Sequence, residues 1–229
     1  IFAKENPKEP TPAMLFGTAY HKIILEPDTF FNEYVISQKF DKRFLTISIE
    51  APNKLGNESY CWYSIDFLPN GEFKYDYKQT SESRNKLFSF ISKASKVFGA
   101  DSNHVFLLGF SQGAIMSYDL LLNKPDKIFG IIALSGRLMK ESEQTKTDEK
   151  KLSEAKIFIA HGTDDNRISI IESEKAENFF LQRKVKSVTL KKYNMQHSIY
   201  EEELIDIDKW LKSTLYKQCY SYLCHGSES

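Results

Sequence analysis

The chain lacks a charge of either sign to spare. Lys+Arg and Asp+Glu both number 31 among 229 residues, so the formal net charge is zero. That balance removes the electrostatic case for a nucleic-acid or anionic-membrane partner. No apolar run approaches 18 residues, so no transmembrane helix is expected. The opening, "IFAKENPKEPTP", has no long apolar core of a secretory signal. It also does not start with Met, which leaves room for a trimmed leader. Cysteine is scarce: Cys61, Cys219 and Cys224 are too few and too uneven for a disulfide framework. Cys219 and Cys224 would pair only in an oxidising compartment, and the expectation is a cytoplasmic protein with free thiols. With His225 they form a poor zinc set, since no second ligand cluster stands beside them. No internal repeat and no low-complexity linker divides the chain. The expectation is a single domain over 1–229, with a loose lead-in at 1–12 and a tail at 216–229.

What is present is alternation. "FLTISIEAP" (44–52) is rich in β-branched residues and predicts a strand, and "NKLGNES" (53–59) predicts a loop. Apolar residues at Leu87, Phe88, Phe90, Ile91, Ala94, Val97 and Phe98 have helical spacing. Strand runs are expected at 104–110, 128–134, 156–162 and 187–193. Helices are expected at 112–123, 168–184 and 201–215, and 137–155 reads as polar loop or surface helix. Nearly continuous apolar strands separated by helices call for an α/β fold, with a mainly parallel central sheet covered by helices on both faces.

One seam carries chemistry. "HVFLLGFSQGAIMSYDLLL" (104–122) ends a strand in Gly109-Phe110-Ser111-Gln112-Gly113 and begins a helix at once. Gly-x-Ser-x-Gly at a strand-to-helix turn is the setting of a nucleophile elbow. The turn is too sharp for bulky neighbours, so small residues flank the serine. The turn lifts the hydroxyl to the carboxyl edge of the sheet, above a helix N-terminus with unpaired N–H groups.

A serine hydroxyl needs a base within reach and a group to orient that base. "IFIAHGTDDNRI" offers Asp164 and Asp165 in the loop after one later strand. "VTLKKYNMQHSIYEEEL" offers His197 after the next. The order Ser, Asp, His is that of the α/β-hydrolases. The other histidines fit worse. His21 precedes the elbow, His104 starts the elbow strand at the far end of the sheet, and His225 lies in the tail. His161 stands in a tight turn, where it is expected to hold the loop.

"FLLGFSQGAIMSYDLLLNKPDKIFGIIALSGRL", "IFIAHGTDDNRISI" and "YNMQHSI…DIDKWL" resemble the phospholipase/carboxylesterase family, as does "SIEAPNKLGNESYCWYSIDF". The resemblance covers roughly residues 44–212. It implies an α/β-hydrolase fold and a catalytic triad of Ser111, Asp165 and His197. Asp165 is chosen over Asp164 because the family's acid stands four residues after the histidine of that turn. The family's Leu-His-Gly-x-Gly loop has its best counterpart in Leu15-Phe16-Gly17-Thr18-Ala19, where phenylalanine and alanine replace histidine and the second glycine. The resemblance assigns the oxyanion hole to the backbone N–H groups of Gln112 and Thr18. Trp62 and Tyr63 read either as plain core aromatics or, with Gly17, as the lining of the substrate pocket. The implied activity is a serine carboxylesterase acting on small to medium acyl esters or thioesters, with no cofactor and no metal, as a monomer or homodimer. The alternatives are a lysophospholipase or acyl-protein thioesterase, and a hydrolase-fold binding module impaired at the altered loop.

Overall fold

The computed structural model describes residues 45–56, 59–67 and 73–224. The lead-in at 1–12 and the expectations placed on Gly17, Thr18, His21 and His225 lie outside the described residues.

Four strands, β5 (Phe106–Phe110), β6 (Gly130–Leu134), β7 (Lys156–Gly162) and β8 (Ser187–Tyr193), form a parallel sheet in that order. They follow two small antiparallel hairpins. In the first, β1 (Asn53–Gly56) pairs with β2 (Ser59–Cys61). In the second, β3 (Ile65–Phe67) pairs with β4 (Phe73–Tyr75). The register aligns the carboxyl ends, with Phe110 beside Leu134, Leu134 beside Ala160 and Gly162 beside Tyr193.

The period-2 pleat divides the central strands between two cores. Ile131, Ala133, Ile157 and Ile159 face α2 (Gln112–Asn123) and α5 (Ile170–Gln182), where they meet Tyr118, Leu121, Ala176 and Phe180. Ile132, Leu134, Phe158 and Ala160 face α6 (Glu201–Cys224) and meet Ile207, Trp210 and Leu211. Two-sided burial is why these strands read as unbroken apolar runs. The expected mainly parallel sheet with helices on both faces is what forms.

Helix α1 (Tyr77–Phe98) buries Thr80, Ser83, Leu87, Phe90 and Ala94, a 3-4-3-4 spacing on one face. Asp76 caps it by accepting from Gln79 N–H at 3.0 Å, and Gly99 ends it in the left-handed region at φ 62°. The buried Asp119 carboxylate joins α1 to α2. It accepts from Arg84 at 2.8 Å, from Ser142 at 2.7 Å and from Asn123 at 3.1 Å. Ser142 belongs to α3 (Lys140–Glu143), which with α4 (Glu149–Leu152) gives the polar 137–155 stretch two short helical turns.

The amino-terminal half corrects the sequence expectation. Residues 45–52 are not a strand, and only Ile47 makes an isolated bridge. Ile47 and Ile49 instead pack on Phe90 and Ala94 of α1. β-Branched residues fit a pleated surface, and those of 45–52 use the same shape to pack on a helix. The segment 53–59 read as loop instead supplies hairpin residues. Helix α6 runs on to Cys224, so the expected tail at 216–229 is helical as far as Cys224. Among the described residues no helix is long and apolar enough to cross a membrane.

Candidate active site

Ser111 sits between β5 and α2 with φ 53° and ψ −114°. Positive φ costs a non-glycine residue on the order of 1–3 kcal/mol and persists only where the surroundings impose it. Here Ser111 N–H donates to the Leu134 carbonyl of β6 at 2.8 Å, and Ile115 N–H returns to the Ser111 carbonyl at 3.1 Å. A Cβ on Gly109 would lie 2.2 Å from the Gly113 carbonyl, so strand and helix cross at backbone contact. The serine side chain does not cap its own helix. Its Oγ lies 2.9 Å from Nε2 of His197.

Asp165 and His197 come from the loops after β7 and β8, and those loops are laced together. Thr163 N–H donates to Tyr193 O at 2.8 Å, and Asp164 N–H to Met195 O at 3.1 Å. A Cβ on Gly162 would stand 2.2 Å from Met195 O, so only glycine admits this approach. The result places Asp165 Oδ2 2.7 Å from His197 Nδ1. Asp165 Oδ1 accepts from Arg167 N–H at 2.9 Å and Ile168 N–H at 3.0 Å. Its side chain is fully buried. Burial, the largest influence, works to raise the Asp165 carboxyl. The hydrogen bonds from Ile168, His197 and Arg167, with the charge on His197, together hold it below the ordinary carboxylate range. Asp164, the other acid considered, is exposed. The Phe110 ring lies 4.7 Å from the His197 ring and walls one side. Ser111, Asp165 and His197 thus meet at the carboxyl edge of the sheet. His104 is at the opposite edge, against Asp101.

Beside the serine, Gln112 turns its side chain outward to the β2–β3 turn. Its Oε1 accepts from Trp62 N–H and its Nε2 donates to Tyr63 O, both at 2.7 Å. Ser83 and Asn53 also hold the Trp62 carbonyl, at 2.6 and 2.9 Å. Trp62 is half-buried on this fastened turn, while Tyr63 is buried in the core near Ile115 and Met116. Sequence reading named the backbone of Gln112 and missed its amide. A polar residue placed next to the serine was the available signal. His161 does hold its loop, with Nε2 2.7 Å from Ile168 O. Among the described residues, no group of three or more His, Cys, Asp or Glu side chains is placed to hold a metal.

The model of the phospholipase/carboxylesterase family matches residues 39–215. The chain belongs to this family. Within curated relatives it is similar to acyl-protein thioesterase 1 of Candida albicans, 31% identical over 161 residues, 69% of this chain and 70% of the thioesterase. It is also similar to a probable carboxylesterase of Oryza sativa, 31% identical over 156 residues, 67% of this chain and 58% of the rice protein. Among solved structures, the Bacillus cereus carboxylesterase superposes with a TM-score of 0.62 at 22% identity, covering 73% of this chain and 74% of that one. At that identity the likeness speaks to the fold, which is the α/β-hydrolase fold. As a member of the phospholipase/carboxylesterase family the chain is a carboxylic ester hydrolase.

Proposed function

We propose that the chain is a serine carboxylesterase in which Ser111 is the nucleophile, His197 the general base and Asp165 its orienting acid. The observation that carries this reading is the continuous contact chain from Ser111 Oγ to His197 at 2.9 Å and from His197 to Asp165 at 2.7 Å. His197 Nε2 takes the hydroxyl proton as Oγ attacks the ester carbonyl. Asp165 accepts from Nδ1 and stabilises the imidazolium that results. The oxyanion is received by the Gln112 backbone N–H at the start of α2 and by a second donor that we assign to Thr18. Each such donor is worth roughly 10²–10³ in kcat. His197 then protonates the leaving alcohol, which departs and leaves an acyl-serine. Water, deprotonated by the same histidine, releases the acid and restores the hydroxyl. The reaction needs no metal or organic cofactor.

The substrates are small to medium acyl esters, and Trp62 borders the acyl group. Similarity to an acyl-protein thioesterase favours a second reading, in which the same residues cleave a long-chain thioester. We place the enzyme in the cytoplasm as one domain, monomeric or dimeric. Hydrolysis of p-nitrophenyl butyrate tests the first reading. Ser111→Ala is expected to lose at least about 10⁴-fold in kcat while keeping its melting temperature, by analogy with other serine hydrolases. Retention of wild-type turnover would sink the assignment. A rise in kcat/KM with acyl length beyond eight to ten carbons (about that size) would favour the thioesterase reading.

A further inference from the structure

His161 lies near the end of β7, fully buried, four residues before Asp165. A neutral imidazole has one donor and one acceptor nitrogen, and the partners decide which is which. Nε2 lies 2.7 Å from the Ile168 carbonyl oxygen and 3.2 Å from Asp165 Oδ2. Both are pure acceptors, so Nε2 carries the proton. Nδ1 lies 2.5 Å from Ser173 Oγ in α5, so the hydroxyl donates to it.

Oδ2 of Asp165 is also the oxygen that faces His197 Nδ1. Two imidazoles therefore converge on one carboxylate oxygen while two peptide N–H groups hold the other. The peptide donors come from Arg167 and Ile168, in the same loop as the carboxylate, and move with it. His161 comes from the sheet. It ties that loop to a rigid element through Ile168 O as well as through Oδ2.

We propose that His161 is a positioning residue for the ester hydrolysis. Its Nε2 proton, shared between Ile168 O and Asp165 Oδ2, fixes the angle at which the carboxylate aims His197 at Ser111. Ser173 locks the tautomer that makes this sharing work. The proposal rests on the assignment of Ser111, Asp165 and His197 above.

The test is ester kinetics on the full chain with His161→Asn, His161→Gln, Ser173→Ala and Ser111→Ala. An asparagine amide reaches only as far as Nδ1 and keeps a partner for Ser173. A glutamine amide reaches the position of Nε2 and can donate to Asp165. His161→Asn is expected to lose about tenfold in kcat with KM within about twofold. That is a small part of the roughly 10⁴ that a misdirected catalytic histidine costs. His161→Gln is expected to recover to within about threefold of wild type. A folded His161→Asn with wild-type kcat overturns the proposal, as does a glutamine variant no faster than the asparagine one. If His161→Asn does not fold, Ser173→Ala carries the test. It frees the ring at Nδ1 and should lower kcat two- to fivefold (about that range), and an unchanged kcat overturns the proposal. Ser111→Ala separates the two claims: activity surviving there refutes the serine mechanism, whatever His161 does.

Discussion

Asp165 gives up its water and receives hydrogen bonds in exchange from Arg167, Ile168 and His197. Glu203 stands six residues past His197, in the first turn of α6, and is buried as a whole residue, where Asp165 buries only its side chain. Among the described residues neither of its oxygens has a hydrogen-bond partner. Burial pushes Glu203 up to about 8, against a smaller lowering influence from the Tyr200 N–H. Tyr193 of β8 and the acidic Glu202 and Asp206 share this corner and supply no compensating cation. Lys191 reaches Asp206 instead, at 3.6 Å. One carboxyl is therefore built to be charged and the other to be neutral. Deeper burial and missing donors act together on Glu203, while at Asp165 the donors outweigh burial.

The two groups bound the pH range of the fold from opposite sides. Asp165 is depressed, so its stabilisation is present above the ordinary value of 3.8 and is lost as pH falls through the lower folded value. Glu203 is raised, so its stabilisation is complete below 4.5 and is lost as pH rises through about 8.

Removing the charge from the satisfied partner should have the largest effect. Asp165→Asn leaves an amide that can present the wrong group to His197, and kcat should fall by about 10³–10⁴. Melting temperature at pH 7 should drop by only a few degrees (about 2–4 °C). A kcat within tenfold of wild type would remove Asp165 from the mechanism. Gly162→Ala separates the loop of Asp165 from the loop that leads to Glu203. The clash with Met195 O should cost about 2–4 kcal/mol, read by denaturant unfolding, together with a fall in kcat of the folded variant on the same ester. Glu203→Gln is the mildest change. It should raise the melting temperature at pH 8 by about 5 °C and leave it within about 2 °C at pH 5. The same gain at both pH values would mean that burial of the charge is not what Glu203 contributes.

The four sheet strands and α2 were legible because two-sided burial writes itself as apolar runs, and because a turn between them required glycine. Gly109, Ser111 and the order of Asp165 and His197 carried the site for the same reason. The segment 45–52 was misread because its β-branched residues served packing against α1. The amide of Gln112, the reach of His161 to Asp165 and the isolation of Glu203 had no local pattern at all. Each depends on what lies opposite in space, 50 residues away in the case of Gln112 and Trp62.

By itself the sequence determined the alternation of strands and helices, the strained serine turn and the residue types able to form a charge-relay geometry, because periodicity and backbone sterics act over a few neighbours. The tertiary structure alone decided how the Gln112 amide fastens the Trp62 turn, which oxygen of Asp165 His161 reaches and which buried carboxyl stays protonated. Those outcomes depend on donors and solvent brought in by distant segments, and electrostatics in a dry interior is set by whichever groups the fold places there.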